Sequence, residues 1–187
     1  GLKEAVGRAE LEAAIAEGRI MEALKEVPVE AGDAFYIPAG TVHALCAGVV
    51  VAEIQQNSDT TYRLYDYDRP GLDGKPRELH IEDSLNVIAY EGSGAKRMKT
   101  DGARPGEWLT IAESPYFIVE KGVVDGRAEL ATTGDSFVIL IAADGSGALR
   151  WSGGELPMKA GDCFLVPANL GAYAIEGALT VLRSRVP

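Results

Sequence analysis

Two hydrophobic periods divide this chain. From Arg8 to Val27 the apolar residues Leu11, Ala14, Ile15, Met21 and Leu24 recur at helical spacing, and Gly18 divides the stretch into two short predicted helices. From Val29 the period shortens. Phe35 and Ile37 alternate with smaller side chains, Pro38 to Gly40 turns the chain, and Val49 to Ile54 predicts a mostly buried strand. A further helical pattern, Leu79, Ile81, Leu85 and Ile88, runs through Glu78 to Ala89. Gly92 to Gly106, with glycines ahead of Arg104-Pro105, predicts a linker. Beyond Trp108 the pattern predicts strands almost throughout: Leu109 to Ala112, Tyr116 to Lys121, Arg127 to Thr132, Phe137 to Ala142, Ala148 to Trp151, Asp162 to Pro167, Tyr173 to Ile175 and Ala178 to Arg183. Short strands broken by glycine-rich turns, with no long helix between them, indicate an all-β sandwich or barrel.

An internal repeat sharpens this. VEAGDAFYIPAG (Val29 to Gly40) and MKAGDCFLVPAN (Met158 to Asn169) align without a gap, at an offset of 129 residues that also pairs Gly48 with Gly177. The common element is turn chemistry. Ala-Gly-Asp opens a hairpin, glycine taking positive φ and aspartate bonding nearby backbone, and proline ends the strand where no ladder N–H is needed. A duplicated β module is the firmest inference from the residues.

Composition narrows the function classes. The 187 residues are 47% apolar, enough for one large domain or two small ones, and the net charge of −10 argues against nucleic acid or an anionic membrane surface as partner. The longest apolar run, Phe137 to Ala143, falls short of the about 20 residues a bilayer span requires. No signal-peptide pattern precedes the first helix, so a soluble cytoplasmic protein is expected. Cys46 and Cys163 each sit in an apolar run and are expected as core thiols rather than a disulfide.

The chemistry concentrates in GDAFYIPAGTVHA, Gly32 to Ala44, and in QQNSDTTYRLYDYDR, which contains Arg63. His43 is a potential metal ligand in a chain with only 2 histidines. The Gly-Asp-x4-Pro-x4-His pattern resembles the second motif of the cupin superfamily, whose domains are jelly-roll barrels. It is intact in the first copy and degenerate in the second, where Ala172 stands in place of His43. More narrowly, PAGTVHALCAGVVVAEIQQNSDTTYRLYDYDR and GKPRELHIEDSLNVI resemble the C-terminal part of the short bacterial type I (cupin) mannose-6-phosphate isomerases. The resemblance is strong from Gly1 to about Ala89 and looser over the second module.

The resemblance implies an all-β fold with a few short helices, made of two cupin modules of which the first is incomplete. It places the C-terminal part of a catalytic barrel with a helical insertion at residues 1–91, a linker at 92–106 and a degenerate module at 107–187. It implies an aldose–ketose isomerase interconverting mannose 6-phosphate and fructose 6-phosphate through an enediolate at a zinc site. Of the family's zinc ligands only the final histidine can be placed, on His43, because the chain contains no Gln-x-His. The chain is therefore expected to be a C-terminal fragment, inactive alone, whose remaining ligands lie outside it. Arg63 matches the family's catalytic arginine, and Glu53 and Asp59 match acidic pocket positions that would shuttle a proton or orient it. A neutral His43 would hold zinc with its second nitrogen fixed by a carboxylate or carbonyl.

Plainer readings stand beside these. His43 and Arg63 are equally describable as a satisfied histidine and a strand ion-pair residue, and His80 as structural. Arg69, Lys75 and Arg77 form either a solvated loop or a phosphate site, and Tyr62, Tyr65 and Tyr67 alternate as strand packing would. The functional alternative is a non-catalytic cupin that binds sugar or serves as a structural module. A sugar phosphate is the expected ligand, and a homodimer or a complementing N-terminal segment the expected partner, since an incomplete barrel leaves strand edges open.

Overall fold

The computed structural model describes residues 1–58, 60–67, 69–92 and 94–187. Helices α1 (Arg8–Ala16), α2 (Ile20–Ala23) and α3 (Ile81–Val87) accompany eight strands: β1 (Ala34–Tyr36), β2 (Lys96–Met98), β3 (Trp108–Glu113), β4 (Ile118–Ala131), β5 (Val138–Trp151), β6 (Gly154–Lys159), β7 (Cys163–Val166) and β8 (Ala172–Arg185). The fold is mostly β with a few short helices. Two compact units are distinguished, one of Gly1–Ala31, Phe35–Val49 and Ser58–Arg97, the other of Gly32–Ala34, Val50–Asn57 and Met98–Pro187. The stretch read as a linker contains β2, which pairs with β1 in a two-stranded sheet.

The second unit is built on a six-stranded antiparallel sheet in the order β3-β4-β8-β5-β6, with β7 also paired to β5. Eight short strands are predicted after Trp108, but six are present. Three pairs of predicted strands fuse into the long strands β4, β5 and β8, and β6 was not anticipated. The glycines read as turns are responsible. Gly126 is paired with Gly177, and Gly177 with Gly147, so the three glycines lie side by side across the sheet. A Cβ on Gly147 would overlap the Glu176 carbonyl oxygen, and one on Gly177 that of Ser146. The sheet bends here. Tyr173 lies in the electrostatic field of Arg183, further along the same strand, whereas a straight strand at about 3.3 Å per residue would hold them about 33 Å apart.

The bend wraps the sheet around a core. Alternate β8 residues Tyr173, Ile175, Leu179 and Val181 pack with Leu140, Leu149, Met158 and Val166. On one outer face Glu176 accepts from Arg150 Nε at 2.6 Å and pairs with Arg127, an exposed charge ladder across three strands. Such exposed pairs contribute little individually. The repeat is visible in the backbone. β1 and β7 occupy equivalent positions, and the preceding glycines, Gly32 and Gly161, have φ of 96° and 91°. In the second copy Asp162 Oδ2 accepts from the Lys159 N–H at 2.9 Å, as the turn chemistry requires.

The first unit is mainly helix and ordered loop. Gly18, with φ of 69°, separates α1 from α2. Leu2, Leu11, Ile20, Leu64 and Leu85 form its buried cluster, with Val42, Tyr65, Ile88 and Tyr90 packed against it. Within Glu78 to Ala89, Leu85 is buried, whereas Leu79, ahead of the helix, and Ile81, its first residue, are exposed.

Three expectations are corrected. Val49 to Ile54 forms no strand: Val50 is fully exposed, and Val49 and Val51 are exposed too, since no described strand pairs with this segment. The tyrosine alternation is not strand packing, because Tyr62, Tyr65 and Tyr67 lie in irregular chain, with Tyr67 at φ of 55° and its ring 4.9 Å from that of Tyr65. The cysteines are not core thiols. Both are exposed and free, Cys46 in irregular chain and Cys163 on the outward side of β7.

The glycine row separates two costs of a side chain. Gly126→Ala, with open space around it but φ of 96°, should lower unfolding free energy by about 1 kcal/mol. Gly147→Ala, whose Cβ meets backbone, should cost at least about 2–3 kcal/mol. Urea denaturation of the two variants checks the difference, and equal midpoints would contradict a backbone-packed bend.

Candidate functional site

The first repeat copy ends in a tight turn. The Thr41 N–H donates to the Pro38 carbonyl at 3.2 Å, and the Gly40 carbonyl accepts from the Ala89 N–H at 2.9 Å. Gly40 has φ of 80°, and a Cβ there would come within 2.7 Å of the Val87 carbonyl oxygen. Backbone just beyond α3 thus clamps the turn that delivers Val42 to the core and His43 to the surface.

His43 Nδ1 lies 2.9 Å from the Thr41 carbonyl oxygen. A carbonyl only accepts, so Nδ1 carries a proton, and in the neutral ring Nε2 presents its lone pair. This is the arrangement expected of a neutral histidine ligand held by a backbone carbonyl. Zinc, however, takes three or four protein donors, and among the described residues no three His, Cys, Asp or Glu side chains are grouped to hold a metal. The described residues offer one oriented imidazole and do not make a zinc site.

Arg63 is reached by another route. It precedes Leu64, which packs in the same cluster as Val42. His43 and Arg63 therefore each adjoin a residue anchored in one hydrophobic cluster. Among the described residues no hydrogen bond or ion pair joins them, and each is held by its own neighbours. Arg63 is half-buried and its Nη1 donates to the Glu78 carbonyl at 3.1 Å. It forms no ion pair among the described residues and lies in irregular chain rather than in a strand.

The chain from Arg63 to His80 forms a loop fastened in successive pairs. At its base the Arg63 N–H donates to His80 Nδ1 at 3.1 Å and the His80 N–H donates to the Arg63 carbonyl at 2.7 Å. Next come the ion pairs of Asp66, then a bridge between Pro70 and Pro76, and a bond from the Gly71 N–H to the Lys75 carbonyl at 2.7 Å. Asp66, with its side chain 8% exposed, accepts from Arg77 Nε at 2.6 Å and from Arg69 Nε at 3.0 Å. Two of the three cations of the candidate phosphate cluster, Arg69 and Arg77, are thus committed to one carboxylate. Hydrogen bonding from Arg77 first, then from Arg69, holds the Asp66 carboxyl well below the usual carboxylate range against the opposing effect of burial.

The other acidic candidates are placed differently. Glu53 is exposed in irregular chain and belongs to the second compact unit. Asp59 lies outside the described residues. Sequence reasoning missed the pairing of His80 with Arg63. No local pattern signals it: Pro70–Pro76 and Gly71–Lys75 share one register across the loop, and Asp66–Arg77 and Arg63–His80 share another.

The second unit carries no counterpart of this site. Ala172, in the position of His43, begins β8. Trp108 packs over Gly122, the Arg183 guanidinium lies 4.2 Å from the Trp108 ring centroid, and Arg183 Nε donates to Glu120 at 2.9 Å. Tyr173 Oη is buried with no hydrogen-bond partner among the described residues, and burial pushes the phenol above its usual range.

Comparison with known proteins locates these features. Residues 107–186 match the family model of the mannose-6-phosphate isomerase cupin domain, which falls on the unit whose resemblance was the looser by sequence. The chain is 41% identical over 177 residues to the mannose-6-phosphate isomerase ManA of Bacillus subtilis, covering 92% of this chain and 55% of the relative. It is 34% identical over 182 residues to the mannose-6-phosphate isomerase of Streptococcus mutans, covering 97% and 57%. The crystal structure of the mannose 6-phosphate isomerase from Bacillus subtilis superposes with a TM-score of 0.84 at 37% identity, over 97% of this chain and 58% of that one. An Archaeoglobus fulgidus structure, at 21% identity and a TM-score of 0.67, shares the fold over 98% of this chain and 55% of its own. The chain spans just over half the length of these relatives. No helix among the described residues is long and apolar enough to cross a membrane.

Acid titration tests the fastened loop. The folded-state value of Asp66 lies below its ordinary 3.8, so its contribution is complete above about pH 5 and is lost as pH falls through and below about pH 4. Asp66→Asn should lower the urea midpoint at pH 7 and flatten its decline below pH 5. An unchanged acid limb would remove Asp66 from the loop's stability.

Proposed function

We propose that this chain, whose residues 107–186 match the mannose-6-phosphate isomerase cupin domain and which is 41% identical over 177 residues to one such isomerase, supplies the His43–Arg63 wall of an enzyme interconverting mannose 6-phosphate and fructose 6-phosphate. The observation behind the proposal is the match over 97% of the chain to a mannose 6-phosphate isomerase structure, combined with the emergence of both residues beside one hydrophobic cluster.

The reaction moves a proton between adjacent carbons of a sugar phosphate through an enediolate. It needs a base near neutral pKa and a fixed cation for the developing oxyanion. Arg63 suits the second task. Its planar fork is always charged, and among the described residues the Glu78 carbonyl takes one of its side-chain donors, the others being available for an oxyanion or a phosphate. Glu53 and Asp59 are the proposed proton carriers. A global charge of −10 would repel a sugar phosphate, which makes a locally fixed guanidinium the more necessary. Zinc enters this proposal only through His43, whose Nε2 is free to donate. A complete zinc site would draw its other ligands from outside this chain.

The scarcity of converging donors favours one second reading, a cupin module that binds a sugar phosphate without transforming it. Exchange of the substrate C2 proton with D2O separates the two. The protein as its gene encodes it, supplied with zinc, should catalyse this exchange in mannose 6-phosphate. Arg63→Ala should lower kcat/KM by about 10²–10³-fold, and His43→Ala should lower both zinc content and turnover. Binding of fructose 6-phosphate without exchange would select the non-catalytic reading, and full activity in Arg63→Ala would overturn the assignment of Arg63.

A further inference from the structure

We propose that His80 is a positioning residue for Arg63, holding it as a neutral hydrogen-bond acceptor through Nδ1; its bearing on catalysis rests on the reading of Arg63 given above. His80 occupies the N-cap position of α3, where a polar side chain ordinarily bonds the first free N–H groups of its own helix. Its ring makes no such bond. Instead it reaches back across the base of the loop to the Arg63 N–H at 3.1 Å, while the His80 N–H donates to the Arg63 carbonyl at 2.7 Å. One residue thus satisfies both polar groups of the Arg63 backbone. The carbonyl of Glu78, two residues earlier, holds the guanidinium at 3.1 Å.

The chemistry fixes the tautomer. A backbone N–H can only donate, so Nδ1 must present its lone pair and the proton of the neutral ring sits on Nε2. Nε2 lies 4.0 Å from Glu78 Oε2, and the ring centroid lies 6.2 Å from that of Tyr62. His80 is itself tied to the fold. Its carbonyl accepts from Ser84 Oγ at 2.7 Å and from the Ser84 N–H at 2.9 Å, in the helix that buries Leu85. The path from core to guanidinium therefore runs through Leu85, α3, His80 and Arg63. Loop closure does not depend on it alone, because Asp66 and Arg77 fasten the same loop independently. Loss of the ring acceptor should accordingly loosen Arg63 without unfolding the unit.

The test uses three variants of the protein as its gene encodes it. Asn places an acceptor oxygen near the position of Nδ1, Gln places one farther out, and Phe supplies none. His80→Asn should retain slow exchange of the Arg63 amide and a kcat within about threefold of wild type. His80→Gln and His80→Phe should speed that exchange and lower kcat about tenfold or more, with urea midpoints close to that of His80→Asn. Nitrogen NMR of wild-type His80 should show Nε2 protonated and Nδ1 bare. Fast exchange in His80→Asn, protected exchange in His80→Phe, or a kcat tracking the urea midpoints across all three variants would overturn the proposal. If wild-type protein does not isomerise mannose 6-phosphate, the isomerase reading fails instead. The tautomer and the Arg63 exchange rates then still decide whether His80 holds Arg63.

Discussion

Backbone packed directly on backbone is the constraint on which both units depend. Where the Glu176 and Ser146 carbonyls press on Gly147 and Gly177, the three longest strands bend together and enclose one core. Where the Val87 carbonyl approaches Gly40, the turn carrying His43 is clamped by the end of α3. Neither approach tolerates a Cβ. Tyr173 can meet the field of Arg183 only because the strand between them is folded over glycine.

The two copies of the duplicated turn serve different ends for reasons visible in their surroundings. In the first, the turn presents an imidazole with one nitrogen fixed on the Thr41 carbonyl and the other free. In the second, Ala172 leads into a long strand, and the interior holds Trp108 beneath Arg183 with Glu120 as its counter-charge. A half-buried arginine–carboxylate pair stacked on indole is a stable filling, and its carboxylate is already taken. The duplicated turn serves to present a side chain in one module and to order a sheet in the other.

Arg63 owes its setting to a loop fastened largely by polar groups. Opposite charges face each other across it, with Asp66 between Arg69 and Arg77, and the backbone of Arg63 is matched by a single histidine at the other end. An arginine intended for an oxyanion gains from such preorganisation, because a guanidinium on a free loop must lose its freedom at the moment of reaction.

The sequence by itself determined the elements whose signal is local. The helices broken at Gly18, the Gly-Asp turns with their positive φ, the β-rich second half and the family resemblance were all legible, because each rests on neighbouring residues and short-range sterics. So was the candidacy of His43 and Arg63, which the motifs single out. Tertiary structure alone decided the rest. It turned predicted breaks at Gly126, Gly147 and Gly177 into one shared bend, since whether a glycine ends a strand or folds it depends on what lies across the sheet. It left Val49 to Val51 and both cysteines exposed, since apolar character says a segment can be buried and only a partner surface buries it. It gave His80 to Arg63, because a hydrogen bond across a loop has no local signature: its energy comes from two groups brought together by everything packed around them.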